Sequence, residues 1–195
     1  MKLLLHTCCA PCSIQCVEAL TAEEKIPDLF WYNPNIHPYT EYRSRLESLC
    51  LFAKDRKLNL LTESEYGLRS FIRAVSSIEN AENENGDVNA ENHTGKKRCG
   101  YCYRVRLEKT ARMAAERSYD AFSTTLLISP YQDHELIKKK GEDMANKFAL
   151  EFLYRDFRPL FRQGQRQARE ALYYTQKYCG CIYSEQERYL GEKGQ

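Results

Sequence analysis

The chain has 195 residues, of which 43% are hydrophobic and 29% charged, and its formal net charge is +2. These values are typical of an ordinary globular protein with one sizeable core, and the small net charge excludes a surface that is basic throughout. The leucines at positions 3–5 are too few for a signal-peptide core, and no run approaches the ~20 apolar residues of a membrane span. We therefore expect a cytoplasmic protein that does not enter a membrane.

The first predicted strand, at residues 2–6, leads directly into three cysteines, Cys8, Cys9 and Cys12. A helix is predicted at residues 13–22, so these thiols lie at a strand-to-helix turn, where α/β domains commonly bind ligands. Neighbouring thiolates repel one another unless a cation neutralises them, and a helix N-terminus favours the thiolate form. The group therefore indicates a metal site.

The second predicted strand, at residues 28–32, is followed by a loop that two prolines make rigid and that contains His37. Such a loop would hold His37 at the ligand-binding edge of a sheet. We therefore predict a catalytic role for this histidine, as a ligand or proton donor. A helix is predicted next, at residues 39–56.

A third predicted strand, at residues 58–62, precedes a polar stretch at about 76–95 that is dominated by Asn, Glu, Asp and Gly. This composition predicts a mobile surface insertion. Cys99 and Cys102 follow it, and alone they could bind zinc or an iron–sulfur cluster, or form a thioredoxin-like redox pair. Combined with the first cysteine group they supply four or five thiolates, which suits a cubane cluster or a closed zinc site.

The remaining elements continue the alternation of strands and helices. Helices are predicted at residues 104–116 and 133–148, and strands at 121–127 and 149–154. This alternation favours an α/β fold in which helices flank a parallel sheet. We treat residues 1–195 as a single domain.

The last predicted helix, at residues 164–178, overlaps a run of regularly spaced arginines. Arg162, Arg166 and Arg169 recur every three or four residues and would form a stripe on one helix face. Together with Lys138 they could contact the phosphates of a nucleic acid. A helix face that is simply solvated explains the same spacing.

Cys179 and Cys181 are separated by one residue, which is too close for both to bind one metal ion in the usual way. They could form a strained, reducible disulfide, or one of them could bind a metal. Cys16 and Cys50 have no cysteine partner nearby on their predicted helices, so we expect them to pack.

Taken together, these motifs resemble the QueH family of epoxyqueuosine reductases. The matching segments occur in order along nearly the whole chain. They are His6-Thr7-Cys8-Cys9-Ala10-Pro11-Cys12, Tyr32-Asn33-Pro34-Asn35-Ile36-His37-Pro38, Glu41-Tyr42-Arg43, Cys99-Gly100-Tyr101-Cys102-Tyr103-Arg104, Phe122-Ser123-Thr124-Thr125-Leu126-Leu127-Ile128-Ser129-Pro130-Tyr131-Gln132-Asp133-His134 and Gln176-Lys177-Tyr178-Cys179-Gly180-Cys181-Ile182-Tyr183-Ser184.

The resemblance implies a Rossmann-like, nucleotide-hydrolase-type α/β fold that carries a [4Fe–4S] cluster with an additional metal ion, iron or zinc, beside it. The implied reaction removes the epoxide oxygen of epoxyqueuosine at the wobble position of tRNA and yields queuosine, without cobalamin. The electrons would come from an unidentified donor. We predict Cys8, Cys9 and His37 as the catalytic residues of this reaction.

Under this resemblance, Cys99 and Cys102 would hold the cluster together with one or two thiols of the first cysteine group. The remaining thiols of that group would hold the extra metal, with a contribution from Cys179 or Cys181 if these do not form a redox-active disulfide. Arg162, Arg166, Arg169 and Lys138 would then contact the tRNA.

Two other functions remain open from the residues alone. One is a zinc-stabilised RNA-binding protein without catalysis, since the three cysteine groups could close a zinc site. The other is a thiol–disulfide oxidoreductase that uses the two later cysteine pairs.

Overall fold

The computed structural model describes residues 1–63, 65–83 and 90–191, and the strands within them form one parallel five-stranded sheet. The strands are β1 (Leu3–Thr7), β2 (Asp28–Trp31), β3 (Leu60–Thr62), β4 (Ala121–Thr124) and β5 (Glu151–Phe152). Their order, β3-β2-β1-β4-β5, changes direction beside β1, as in Rossmann-like folds. The predicted α/β fold is therefore confirmed.

Seven helices in the described residues flank this sheet. They are α1 (Ala10–Ala22), α2 (Tyr39–Asp55), α3 (Leu68–Asn83), α4 (Ala90–Glu116), α5 (His134–Phe148), α6 (Phe161–Glu170) and α7 (Ile182–Leu190). Short 3-10 turns lie at Thr125–Ile128 and Arg158–Leu160. Each helix in the described part of the chain is too short or too polar to cross a lipid bilayer.

The central strand β1 positions the segments that matter for function. All five of its residues are buried, as expected for a strand that pairs on both edges and is covered on both faces. His6 lies opposite Phe30 of β2 and Thr124 of β4, so the carboxyl ends of these strands meet at one edge of the sheet. That edge, between β1 and β4, is where a doubly wound sheet leaves a crevice for ligands.

Two element boundaries that affect the site differ from the sequence prediction. Helix α4 begins at Ala90 rather than near residue 104, so Cys99 and Cys102 lie on the helix and not in a loop before it. Strand β4 ends at Thr124 rather than at residue 127. The Thr124 side chain accepts a hydrogen bond from the Leu126 backbone N–H at 3.2 Å, which closes the chain into a 3-10 turn.

The C-terminal region also differs from the sequence prediction. The helix predicted at residues 164–178 ends at Glu170, because Leu172 takes a left-handed backbone conformation with φ 56°. Helix α7, which was not predicted, begins after Cys181, whose Sγ accepts a hydrogen bond from the Ser184 backbone N–H at 3.4 Å.

The insertion predicted at about 76–95 overlaps two helices. Residues 76–83 belong to α3 and residues 90–95 to α4, so these parts have regular structure. Residues 84–89 lie outside the described part of the chain. The mobility of the segment and the single-domain division stay predictions.

Candidate metal centre

Three thiols converge where β1 leads into α1. Cys9 caps the helix with an extended backbone, and Pro11 occupies its first turn. Ser13 Oγ donates a hydrogen bond to the Cys9 carbonyl oxygen at 2.8 Å, which fixes this turn. The Sγ atoms of Cys8, Cys9 and Cys12 lie within 4.8 Å of one another, and all three residues are buried. The structure thus brings together the thiols that the sequence grouped.

These three thiols differ in how readily they lose their protons. Hydrogen bonds from the Cys12 and Cys9 thiols stabilise the Cys8 thiolate and hold its pKa well below the usual range. The pKa of Cys12 is raised by its hydrogen bond to Cys8, and burial raises the pKa of Cys9. One thiolate is therefore favoured, and a thiophilic cation would be needed to ionise the others.

A second thiol group, Cys99 and Cys102, lies on α4. Desolvation raises the pKa of Cys102 to about 12, and that of Cys99 to about 11 although Cys99 retains exposed surface. Both thiols lie close enough to Cys179 and Cys181 for their charges to interact. Arg106 lies one turn after Cys102, and its Nη2 donates a hydrogen bond to Cys102 Sγ at 3.0 Å. The positive charge of Arg106 lowers the pKa of Cys99 and Cys102 and so opposes the effect of burial.

The segment that carries Cys179 and Cys181 is anchored by its backbone. Arg45 donates from Nη1 to the Cys179 carbonyl oxygen and from Nη2 to the Tyr178 carbonyl oxygen, each at 2.9 Å. The His37 backbone N–H donates to the Gly180 carbonyl oxygen at 2.7 Å. Both sulfurs are free thiols here, and their predicted role as a redox disulfide or extra metal ligand stays a prediction.

Gly180 has φ +128°, a backbone conformation that residues with a side chain rarely adopt. A Cβ at this position would lie 3.1 Å from both Arg45 Nη1 and Ile36 Cγ1. Glycine therefore allows the backbone between the two cysteines to approach the buried arginine closely.

His37 lies beside this segment and is buried between the rings of Tyr66 and Phe71, at centroid distances of 5.4 and 5.2 Å. Burial lowers the pKa of His37 to about 4, so its imidazole is neutral at pH 7. Its Nε2 has no hydrogen-bond partner in the described residues. As the predicted catalytic residue it would therefore offer a neutral ring nitrogen rather than a stored proton.

Sequence reasoning missed four polar residues that contact this region. Two of them, Arg45 and Arg106, are buried arginines. The other two are amides: Gln132 donates to Cys179 Sγ at 3.5 Å and Gln176 donates to Cys12 Sγ at 3.4 Å. Arg106 could have been found from its spacing of four residues after Cys102, had the earlier start of α4 been recognised.

The two remaining cysteines have different surroundings. Cys16 is completely buried on α1, as predicted. Cys50 on α2 is exposed rather than packed, because its neighbours on the buried face of the helix are Leu49, Phe52 and Ala53. An exposed cysteine on α2 makes Cys50 a useful control position.

The predicted basic stripe lies on α6. Arg162, Arg166 and Arg169 are exposed, while Gly164 and Ala168 form the buried face. Helix α6 packs against α1, and a Cβ on Gly164 would lie 3.0 Å from the Pro11 carbonyl oxygen. The three arginines therefore face solvent on α6, which packs against α1, the helix that begins at Cys8, Cys9 and Cys12.

Lys138 has a different environment from these arginines. It is half-buried on α5, with Nζ 5.4 Å from the centre of the Tyr154 ring. That cation–π contact engages its charge, so it is a weaker candidate for a phosphate contact than the three arginines.

A cavity of about 90 Å³ opens beside the second thiol group. Its walls include the aromatic rings of Tyr32, Phe71 and Tyr101, together with Asn35 and Cys102. The carboxamide of Asn35 is buried and has no hydrogen-bond partner in the described residues. Aromatic walls with a polar group beside a thiol are suited to a planar, partly polar molecule.

Acidification should destabilise the protein through His6. Its ring is fully buried between Thr124 Oγ1 and the Tyr32 carbonyl oxygen, and burial lowers its pKa to about 4 from an ordinary 6.5. As the pH falls, the unfolded chain takes up a proton before the folded one does, so stability is lost between pH 6.5 and 4. We expect a loss of about 2 kcal/mol in the free energy of unfolding between pH 7.5 and 5.

Urea unfolding at both pH values measures this loss in the wild type and in His6→Gln. The variant should lack the His6 contribution and show a correspondingly smaller pH dependence. An equal pH dependence of the two proteins would contradict the assignment to His6.

The sequence model of the family described as "Epoxyqueuosine reductase QueH" matches residues 3–187 of the chain. A protein of that name from Dehalococcoides mccartyi is 35% identical over 188 residues, which cover 96% of this chain and 94% of the relative. One from Thermotoga maritima is 33% identical over 189 residues, covering 95% and 91%. One from Streptococcus pyogenes serotype M1 is 33% identical over 190 residues, covering 94% and 70%. The family model and these relatives span the whole arrangement of sheet and cysteine groups, and the chain therefore belongs to the QueH family of epoxyqueuosine reductases.

Proposed function

We propose that the chain reduces the epoxide of epoxyqueuosine in tRNA to an alkene and so produces queuosine. The step consumes two electrons and two protons: both C–O bonds of the epoxide break, the oxygen leaves as water, and a C=C bond forms. The observations that carry the proposal are the convergence of the Cys8, Cys9 and Cys12 thiols to within 4.8 Å and the buried Arg106, whose charge acts on one thiol of each cysteine group. The choice of this reaction is supported by the family to which the chain belongs, which is described as epoxyqueuosine reductase.

The cofactor we propose is a [4Fe–4S] cluster with a further iron or zinc ion beside it. Cys99 and Cys102 would hold the cluster with one or two of the thiols at the start of α1. The remaining thiols, with Cys179 or Cys181, would hold the second metal. Bound together, they would supply electrons singly and polarise the departing oxygen.

The donor set fits a metal–thiolate centre of this kind. The thiols at the start of α1 converge to within 4.8 Å. Buried cysteines that only pack in a core behave as small hydrophobic residues and have no reason to cluster in this way. Two buried arginines, Arg45 and Arg106, supply positive charge there, and only Arg45 has a carboxylate partner among the described residues, Glu41 at 2.7 Å. Thiolates held by a cluster would supply the missing negative charge.

The chain's own residues would bind and orient the substrate. Tyr32, Phe71 and Tyr101, which line the cavity beside Cys102, would stack on one ring of the modified base. Asn35 would offer its unpaired amide to polar groups of the base, and His37 would present its neutral Nε2. A base must leave the stacked anticodon loop to reach this cavity, which is feasible because loop bases unstack readily.

Incubation of the anaerobically prepared protein with tRNA that contains epoxyqueuosine tests the reaction, with dithionite as the one-electron reductant. Mass spectrometry of the digested nucleosides should show queuosine, which has one oxygen atom fewer. Unchanged epoxyqueuosine after incubation with protein that carries iron would contradict the proposed reaction.

We also propose that the exposed arginines of α6 contact tRNA phosphates. Replacing Arg162, Arg166 and Arg169 with glutamine should then raise the dissociation constant for tRNA and flatten its salt dependence. The expected change in the log–log slope is about 0.7 per lost contact. Binding measured at several salt concentrations checks this, while the visible absorption of the protein should not change.

Unaltered affinity and an unaltered salt slope in this triple variant would mean that α6 is only a solvated face. The tRNA would then dock elsewhere.

A further inference from the structure

Arg106 is a buried arginine beside the thiol groups that has no carboxylate partner among the residues the structure describes. The side chain of Arg106 is 1% exposed, and its Nε donates to the Cys102 carbonyl oxygen at 3.1 Å. Its Nη2 donates to Cys102 Sγ at 3.0 Å. No carboxylate in the described part of the chain forms an ion pair with it, in contrast to Arg45, which pairs with Glu41. A guanidinium that is buried without an anion is strongly unfavourable, so its surroundings must provide one.

The groups that face Arg106 identify the chemistry of that anion. Its charge interacts with the thiols of Cys102, Cys179 and Cys8 and with the hydroxyl of Tyr103. A phenol cannot balance a permanent cation, so the counter-charge must lie on sulfur.

We infer that Arg106 is a positioning residue that holds the metal–thiolate centre and sets the reduction potential of its cluster. This inference rests on the proposed function, because it takes Cys102 as a cluster ligand. Each electron added to a cluster increases its negative charge. A fixed guanidinium that donates an N–H to a ligand sulfur therefore stabilises the reduced state more than the oxidised state. The arginine makes the cluster easier to reduce by a one-electron donor.

Substitution of Arg106 separates this electrostatic role from a structural one. In Arg106→Gln an amide replaces the guanidinium, so a hydrogen-bond donor remains but the charge is lost. The charge lies a few ångströms from the sulfur, and its loss should weaken the equilibrium for one-electron reduction at least tenfold. A tenfold change corresponds to about 59 mV in midpoint potential for a one-electron couple. Arg106→Lys keeps the charge and should stay within about threefold of the wild type.

Arg104→Gln provides a matched control on the same helix. Arg104 is exposed and pairs with Glu108 at 3.2 Å, so its replacement removes an equal charge without touching a thiol. All four proteins are titrated with dithionite under anaerobic conditions and followed by electron paramagnetic resonance. The control should reduce at the wild-type potential.

Each outcome of this titration decides the matter. Arg106→Gln that takes up the cluster and reduces at the wild-type potential overturns the inference while leaving the proposed function intact. Should Arg106→Gln take up no cluster, Arg106→Lys decides: a wild-type potential supports the role of the charge, and a tenfold or larger change overturns it. A wild-type protein without a reducible cluster overturns the proposed cofactor and the inference together.

Discussion

Replacing Cys102 with serine should abolish cluster binding. Its Sγ lies beside Arg106 and close to the thiols of Cys99, Cys179 and Cys181, where a serine hydroxyl would stay protonated and bind iron poorly. Because a cluster held by fewer thiolates is exposed to loss and oxidation, we expect colourless protein that does not convert the tRNA. The same result is expected for Cys99→Ser. Iron content and visible absorption after anaerobic purification provide the measurement.

Cys50→Ser is the matched control for these variants. Cys50 is exposed on α2, where no other cysteine lies on the same helix, so its replacement should leave iron content and activity unchanged. If Cys50→Ser lost its colour while Cys102→Ser retained it, the proposed ligands would be wrong.

Gly180→Ala should have the second large effect. An alanine at φ +128° is strained by about 1–3 kcal/mol, and its Cβ would press on Arg45 and Ile36 at 3.1 Å. Arg45 holds the Cys179 and Tyr178 carbonyl oxygens, so any shift would displace both thiols of the segment. A displacement of about 1 Å in a catalytic site can reduce the rate roughly 100-fold, and we expect a loss of that order in tRNA conversion.

Gly191→Ala separates backbone strain from crowding. Gly191 also has a positive φ, +71°, but no atom of the described residues lies within 4 Å of the Cβ that alanine would add. This variant should keep full activity, with at most a small change in melting temperature. Equal activity in Gly180→Ala and the wild type would show that the anchoring of the Cys179–Cys181 segment does not matter for the reaction.

Much of the fold follows from local patterns in the sequence. The apolar run at the N-terminus predicts β1 because a central parallel strand must be buried on both faces, and every residue of β1 is buried. Its carboxyl end leads into Cys8, Cys9 and Cys12, so a site at this edge could be predicted before any tertiary contact was known. The proline-containing loop at His37 likewise lies next to the site.

The rest depends on contacts between segments that are distant in sequence. Arg45 has no local sign of its role, because its partners Tyr178 and Cys179 are more than 130 positions away. The polar composition around residues 76–95 hid the start of α4, whose helical form places Arg106 one turn after Cys102. The end of α6 was missed because the left-handed conformation at Leu172 uses a residue that rarely adopts it.

The central claim, that this chain assembles an iron–sulfur centre from its clustered cysteines, is tested most directly by metal and sulfide analysis. The protein is purified without oxygen, and iron, zinc and acid-labile sulfide are measured on the sample whose visible spectrum is recorded. We expect brown protein with iron and sulfide in comparable amounts, as a [4Fe–4S] cluster requires, and iron in excess if the adjacent metal is also iron. A colourless protein that holds zinc and no sulfide would contradict the claim.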